Sequence, residues 1–205
     1  MLYTRGALEI IDRNGFGVTL ITKSSRVLRN LDILKSIQTH SKCVIQMTLT
    51  TYNEKLCKKL EPNVSTTKER FETLLTLQKE GIPTIVWLTP ILPFINDNEE
   101  NLRGILDYCI KAYVKGIICF GMGVTLREGN REFFYSKLDQ HFPGLKEKYI
   151  HKYGNSYILS SPQNKQLMRI FHQVCEENGI MHEHEEIFNY LRTYEDHRLD
   201  LLDFI

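Results

Sequence analysis

At 205 residues the chain falls within the range of one domain, and 42% apolar with 25% charged residues excludes a disordered or fibrous architecture. A net charge of +1 supplies no field that would draw the chain onto a polyanion, so strong non-specific nucleic-acid binding is not expected. The longest apolar stretch, residues 84–95, is bounded or interrupted by Pro83, Pro90 and Pro93 and is too short for a bilayer. With no signal-peptide order of basic, apolar and small residues at the start, a cytoplasmic location is expected.

In chain order, residues 4–13 place Leu8, Ile10 and Ile11 on a helix that Gly15 stops. No strand precedes it. In a repeat of strands and helices, an opening helix implies a missing strand before it; an open four-stranded sheet with a leading helix is the alternative. Strands follow at 17–22, 43–50, 82–89 and 116–122, mostly apolar at consecutive positions, as strands covered on both faces are. Between them, Leu28, Leu31, Leu34 and Ile37 share a helical face. Thr66 with Glu69 forms a capping box ahead of Phe71, Leu74 and Leu75, and Gly81 ends that helix. Asp97 with Glu100 repeats the signature ahead of Leu102, Ile105, Leu106 and Cys109. This alternation implies right-handed crossovers and a parallel α/β sheet over residues 1–128.

Residues 129–205 read as a helical appendage packed on the same domain, with helices at 130–141, 143–153 and 162–178 and a stop at Gly179. The tail from Glu183 onward, acidic at Glu183, Glu185, Glu186, Glu195 and Asp196, is either a helix or partly disordered.

Cys43, Cys57, Cys109, Cys119 and Cys175 are scattered with no CxxC or CxxxC spacing, so buried reduced thiols are expected rather than a zinc or cluster site. His182 and His184 would diverge on a helix and the other histidines are dispersed, so the sequence shows no metal site. Gly121 and Gly123 open a dinucleotide-like pattern that fails at Leu126. The aromatic group of Phe133, Phe134, Tyr135, Phe142, Tyr149 and Tyr153 reads as helix packing rather than a base-stacking platform.

Ligands of parallel α/β folds bind outside the carboxyl ends of the strands. Here those ends carry Thr22, Lys23 and Ser24, then Thr48 and Thr50, then Thr89 and Pro90, then Gly121 to Gly123, a rim suited to a polar ligand with a carboxylate or ribose. Lys23 follows an apolar strand directly and offers a point charge to an anion; the plain alternative is a solvated lysine at a loop start.

Several strings resemble those of the spore photoproduct lyase-like radical S-adenosylmethionine proteins: residues 2–10, Thr22-Lys23-Ser24 with residues 28–34, Leu60-Glu61-Pro62 with Arg70, residues 90–98, Thr125-Leu126-Arg127, residues 142–149 and residues 153–157. They cover most of the chain in the family's order. The resemblance implies a partial (β/α) barrel of the TIM type that binds S-adenosylmethionine at its strand ends and a [4Fe-4S] cluster on a CxxxCxxC loop. By position it implies Lys23 at the methionine carboxylate, with Ser24 and Thr50 on the same rim. It puts Thr48 near the ribose or methionine moiety, Pro90 and Ile91 beside the adenosine, and Arg127 on the lining. Glu61, Asn96 and Asp97 match motif positions and suit turn or capping work as well as ligand contact. The cluster motif is not in this sequence, so the expectation is a chain that makes no radical by itself. A non-catalytic remnant, a partner subunit, and a module binding S-adenosylmethionine or nucleic acid are the alternatives. A truncated sheet also implies self-association through its open edge.

Overall fold

The structure, a computed structural model, describes residues 3–194. Four strands, β1 (Val18–Thr22), β2 (Cys43–Thr48), β3 (Thr84–Trp87) and β4 (Gly116–Ile118), form one parallel sheet in the order β1-β2-β3-β4. Val18 pairs with Cys43, Ile45 with Thr84 and Ile85 with Gly116. The parallel α/β expectation holds. β2 is buried along its whole length and β1 nowhere fully, the difference between an interior strand and an edge.

All four strands are shorter than their apolar runs, most clearly at the carboxyl ends of β2 and β4. Past Thr48 the β2 carbonyls turn to side chains: Arg70 donates to Thr48 O, and Asn96 and Asn101 both donate to Thr50 O. Beyond β3 the Thr89–Pro90 peptide is cis, and beyond β4 Gly121 takes a φ of 108° that turns the chain out of the sheet.

One face of the sheet carries helices α2 (Leu31–His40), α4 (Thr67–Lys79), α5 (Glu99–Lys111) and α8 (Asn164–Glu177). Ile33, Leu34 and Ile37 of α2, spaced for one helical face, meet Cys43 and Ile45; Leu74, Ile105, Leu106 and Phe171 meet Met47, Val86 and Ile117. Helix α9 (His184–Arg192) lies on the other face, where Ile187 and Leu191 cover Val44, Ile85 and Ile118. Helix α3 (Glu54–Leu60) is capped by Asn53, which accepts from Leu56 N.

The opening helix α1 (Tyr3–Arg13) does cover strand surface of this chain. Its Leu8 and Ile11 pack with Val18, Leu20, Ile33 and Leu34, and Arg5 donates two hydrogen bonds to the Asp32 carboxylate at 3.2 and 2.8 Å. The helix after β1 begins as a 3-10 turn, Ser25–Asn30, before α2 takes over at Leu31.

The Thr66–Glu69 capping box forms with both limbs. The second box does not. Asn98 caps α5 by accepting from Asn101 N at 2.9 Å, while the Asp97 carboxylate turns away to accept from Ser161 Oγ.

The C-terminal third is not purely helical. Between α6 (Asn130–His141), α7 (Leu145–Tyr153) and α8 the chain builds β6 (Ile158–Ser160), which pairs antiparallel with β5 (Gly123–Thr125). After α8, Met181 forms a parallel bridge to Gly116, donating to Lys115 O and accepting from Ile117 N. Five of the six aromatics pack as expected, Phe134, Tyr135, Phe142 and Tyr153 with Phe94 around the wholly buried Tyr149, whereas Phe133 is 67% exposed and lies outside that cluster. Of the acidic tail, Glu183 to Glu186 start α9, and Glu195 and Asp196 lie outside the described residues.

Gly104 lets α5 approach Tyr52, since a Cβ there would lie 2.3 Å from the base of the tyrosine ring. Alanine at an exposed helix position gains about 1 kcal/mol over glycine. At this site overpacking dominates, and Gly104→Ala should destabilise the protein by about 1–3 kcal/mol in urea unfolding.

Candidate functional site

The carboxyl ends of β1 and β2 meet at a charged hub. Arg70 on α4 is fully buried, and its guanidinium is held from three directions: Nε donates to Ser65 O at 2.8 Å, Nη1 donates to Thr48 O at 2.9 Å, and Nη2 is ion-paired with Glu61 Oε2 at 2.8 Å, a contact of charge rather than of aligned hydrogen bonding. Glu61, the residue after α3, is 15% exposed and turns its other oxygen to Lys23 Nζ. Two cations therefore share one carboxylate, leaving one net positive charge at a half-exposed lysine. A buried guanidinium holds its place only while its charge is compensated, so Arg70 fixes Glu61, and Glu61 orients Lys23.

The predicted residues divide among separate places. Lys23 and Thr48 join this hub, Thr48 through its carbonyl rather than its hydroxyl. Ser24 caps the 3-10 turn by accepting from Arg26 N at 3.2 Å, and it lines a cleft of about 540 Å³ beside the outer edge of β1. Thr50 is buried with its carbonyl taken by Asn96 and Asn101. Asn96 is a loop organiser: it donates to Thr50 O and Thr51 Oγ1 and accepts from Leu92 N.

Pro90 lines a second cleft, of about 470 Å³, with Thr89, Phe120, Gly121, Gly123 and Asn164. Asn164 Oδ1 accepts from Met122 N at 2.7 Å, so α8 braces the Gly121–Gly123 turn. Ile91 does not reach this cleft's surface; it is 2% exposed and packs in the main core. Arg127 is exposed after β5 and donates to the Tyr157 hydroxyl at 3.3 Å, which holds that phenol below its ordinary range.

Burial pushes the thiols up, Cys43 and Cys175 to about 12 and Cys119 to about 11, with Cys109 higher still. All five cysteines are buried and free. They are apolar packing, as the sequence suggested, and are not poised as thiolate ligands.

The sequence did not reveal a convergence of His172, His182 and Glu183, whose ligand atoms lie within 4.8 Å of one another. The available signal was Gly179: a helix stopped there turns the following residues back along its own last turns, bringing position 182 against position 172.

No family model matches the chain. It is 31% identical over 96 residues to the uncharacterized protein MJ0683 of Methanocaldococcus jannaschii, the match covering 47% of this chain and 36% of that protein. No helix of the described residues is long and apolar enough to cross a membrane.

Two substitutions test the electrostatics. Arg70→Ala leaves Glu61 without its buried partner and should cost about 3–5 kcal/mol in urea unfolding. Asp97 is raised chiefly by burial, so above the ordinary carboxyl value of about 3.9 the folded state retains a proton that the unfolded chain releases. Asp97's contribution therefore falls as pH rises through that window. Asp97→Asn should gain stability relative to the parent near about pH 7 and lose that gain near about pH 3.5.

Proposed function

We propose that this chain is the cosubstrate-binding portion of a radical S-adenosylmethionine protein of the spore photoproduct lyase-like group, acting in the cytoplasm. Its sheet would then be part of a (β/α) barrel, with α9 on the interior side. The observation that carries this proposal is the Lys23–Glu61 pair at the strand carboxyl ends, backed by buried Arg70.

An adjacent cation and carboxylate complement an amino-acid head group. The surplus positive charge at Lys23 attracts the methionine carboxylate as a point charge, and Glu61 accepts hydrogen bonds from the methionine ammonium. The Thr89–Pro90 and Gly121–Gly123 cleft offers an apolar wall and close backbone approach suited to a nucleoside. The fold supports this division, since ligands of parallel sheets bind at this end.

The chain's cysteines do not fit a [4Fe-4S] cluster. Three thiolates from one loop are required, whereas these thiols are buried and carried on different elements, and burial pushes those of Cys119 and Cys175 above their ordinary range. We therefore assign no reductive step to these residues. The same observation favours, as the second proposal, a non-catalytic S-adenosylmethionine-binding module or partner subunit. Nucleic acid as a partner rests on family analogy, and the near-neutral charge weighs against it.

Calorimetric titration with S-adenosylhomocysteine tests the site. The parent should bind, and Lys23→Ala should weaken binding about 10- to 100-fold, the worth of one charge-assisted hydrogen bond. A parent that does not bind, or a variant that binds equally, defeats the assignment. The barrel proposal also leaves the outer side of β1 open, where Ile21 is 59% exposed. Sedimentation velocity should show concentration-dependent self-association that Ile21→Lys reduces, and a monomer at every concentration would count against a missing neighbour.

A further inference from the structure

We propose that His172, His182 and Glu183 form a binding site for a divalent transition cation of the zinc type, independent of the strand-end site. His172 lies on α8, His182 follows the Met181 bridge, and Glu183 opens α9. Their ligand atoms come within 4.8 Å of one another, with the two imidazole centroids 5.1 Å apart and tilted by 61°.

The ligand types and their hydrogen bonding point the same way. His182 Nδ1 lies 3.1 Å from Ile180 O, which places the proton on Nδ1 and leaves the Nε2 lone pair for a metal, the arrangement found behind ligating histidines. The His182 side chain is 13% exposed, and what faces Nε2 is the Glu183 carboxylate at 3.8 Å. Glu183 occupies the cap position of α9 yet makes no side-chain cap hydrogen bond, so its carboxylate is uncommitted to the helix. Two imidazoles and one carboxylate favour zinc-type cations over magnesium or calcium, which prefer all-oxygen shells.

Both ligand-bearing segments are held by backbone. Met181 is fixed to β4 through Lys115 and Ile117, and Ile180 N donates to Cys175 O at 2.9 Å, folding the loop back on α8. Phe171, fully buried next to His172, meets both imidazoles edge-on at 5.3 and 6.0 Å. Metal bonds of about 2.0–2.2 Å require the three ligand atoms to draw closer than they stand. Glu183, with its side chain 72% exposed, is free to supply most of that movement. Three protein ligands leave the fourth tetrahedral position to water.

The test is calorimetric titration of metal-free protein with zinc chloride, with magnesium chloride as control and thermal unfolding as a second readout. One zinc equivalent should bind, magnesium should not compete, and zinc should raise the Tm. His172→Ala and His182→Ala should each weaken binding more than about 100-fold, beyond the about 10- to 100-fold that loss of an outer-shell partner costs, and abolish the Tm rise. His151→Ala, an exposed histidine on α7, should leave both unchanged. A metal-free Tm for each variant separates lost folding from lost ligation. No zinc binding by the parent, equal binding of magnesium, or undiminished zinc binding by a folded His172→Ala protein overturns the proposal.

Discussion

Arg70 is the constraint on which the carboxyl end of the sheet depends. A guanidinium with no exposure to water must find compensation within reach, and it does so by drawing together the end of β2, the start of α4 and the residue that closes α3. The loops there are consequently built as a polar frame: Asn96 and Asn101 take the Thr50 carbonyl just beyond β2, and Thr67 takes that of Thr51. This frame ends the strand early and keeps the rim polar where a ligand would approach. Lys23 inherits its position from it at one remove, through Glu61.

The parallel sheet was legible because buried strands leave continuous apolar runs, and helices between them carry caps that need only local atoms. Thr66 and Glu69 are such a local pair. Asp97 and Glu100 share the spacing, yet Ser161, 64 residues away, claims the Asp97 carboxylate, so a tertiary contact overrides the local signal. Strand ends were overestimated for the same reason. The carbonyls beyond Thr48 look like ladder positions in sequence, but distant side chains bind them.

Of the candidate site, Lys23 was visible because a charge directly after an apolar strand is unusual. The role of Thr48 was not, since its contribution is a carbonyl, which sequence does not distinguish. Ile91 sits one residue from a cleft-lining proline and is nevertheless core, its N–H held by Gly123 O and its side chain packed with Leu88, Leu102 and Met122. The C-terminal strand pairing was hidden by length: β6 has three residues and the Met181 bridge a single pair, both below what alternation of apolar residues can signal.

The Met181 bridge makes the two sides of the sheet unequal. On the β4 side a returning backbone already occupies the hydrogen-bonding groups of Lys115 and Ile117, while on the β1 side the described residues offer no such cover. A sheet that can be extended from one margin only cannot propagate head to tail. Were two copies to meet at that margin, the strand order would relate them by a twofold axis, an isologous contact that closes as a finite pair rather than a fibre.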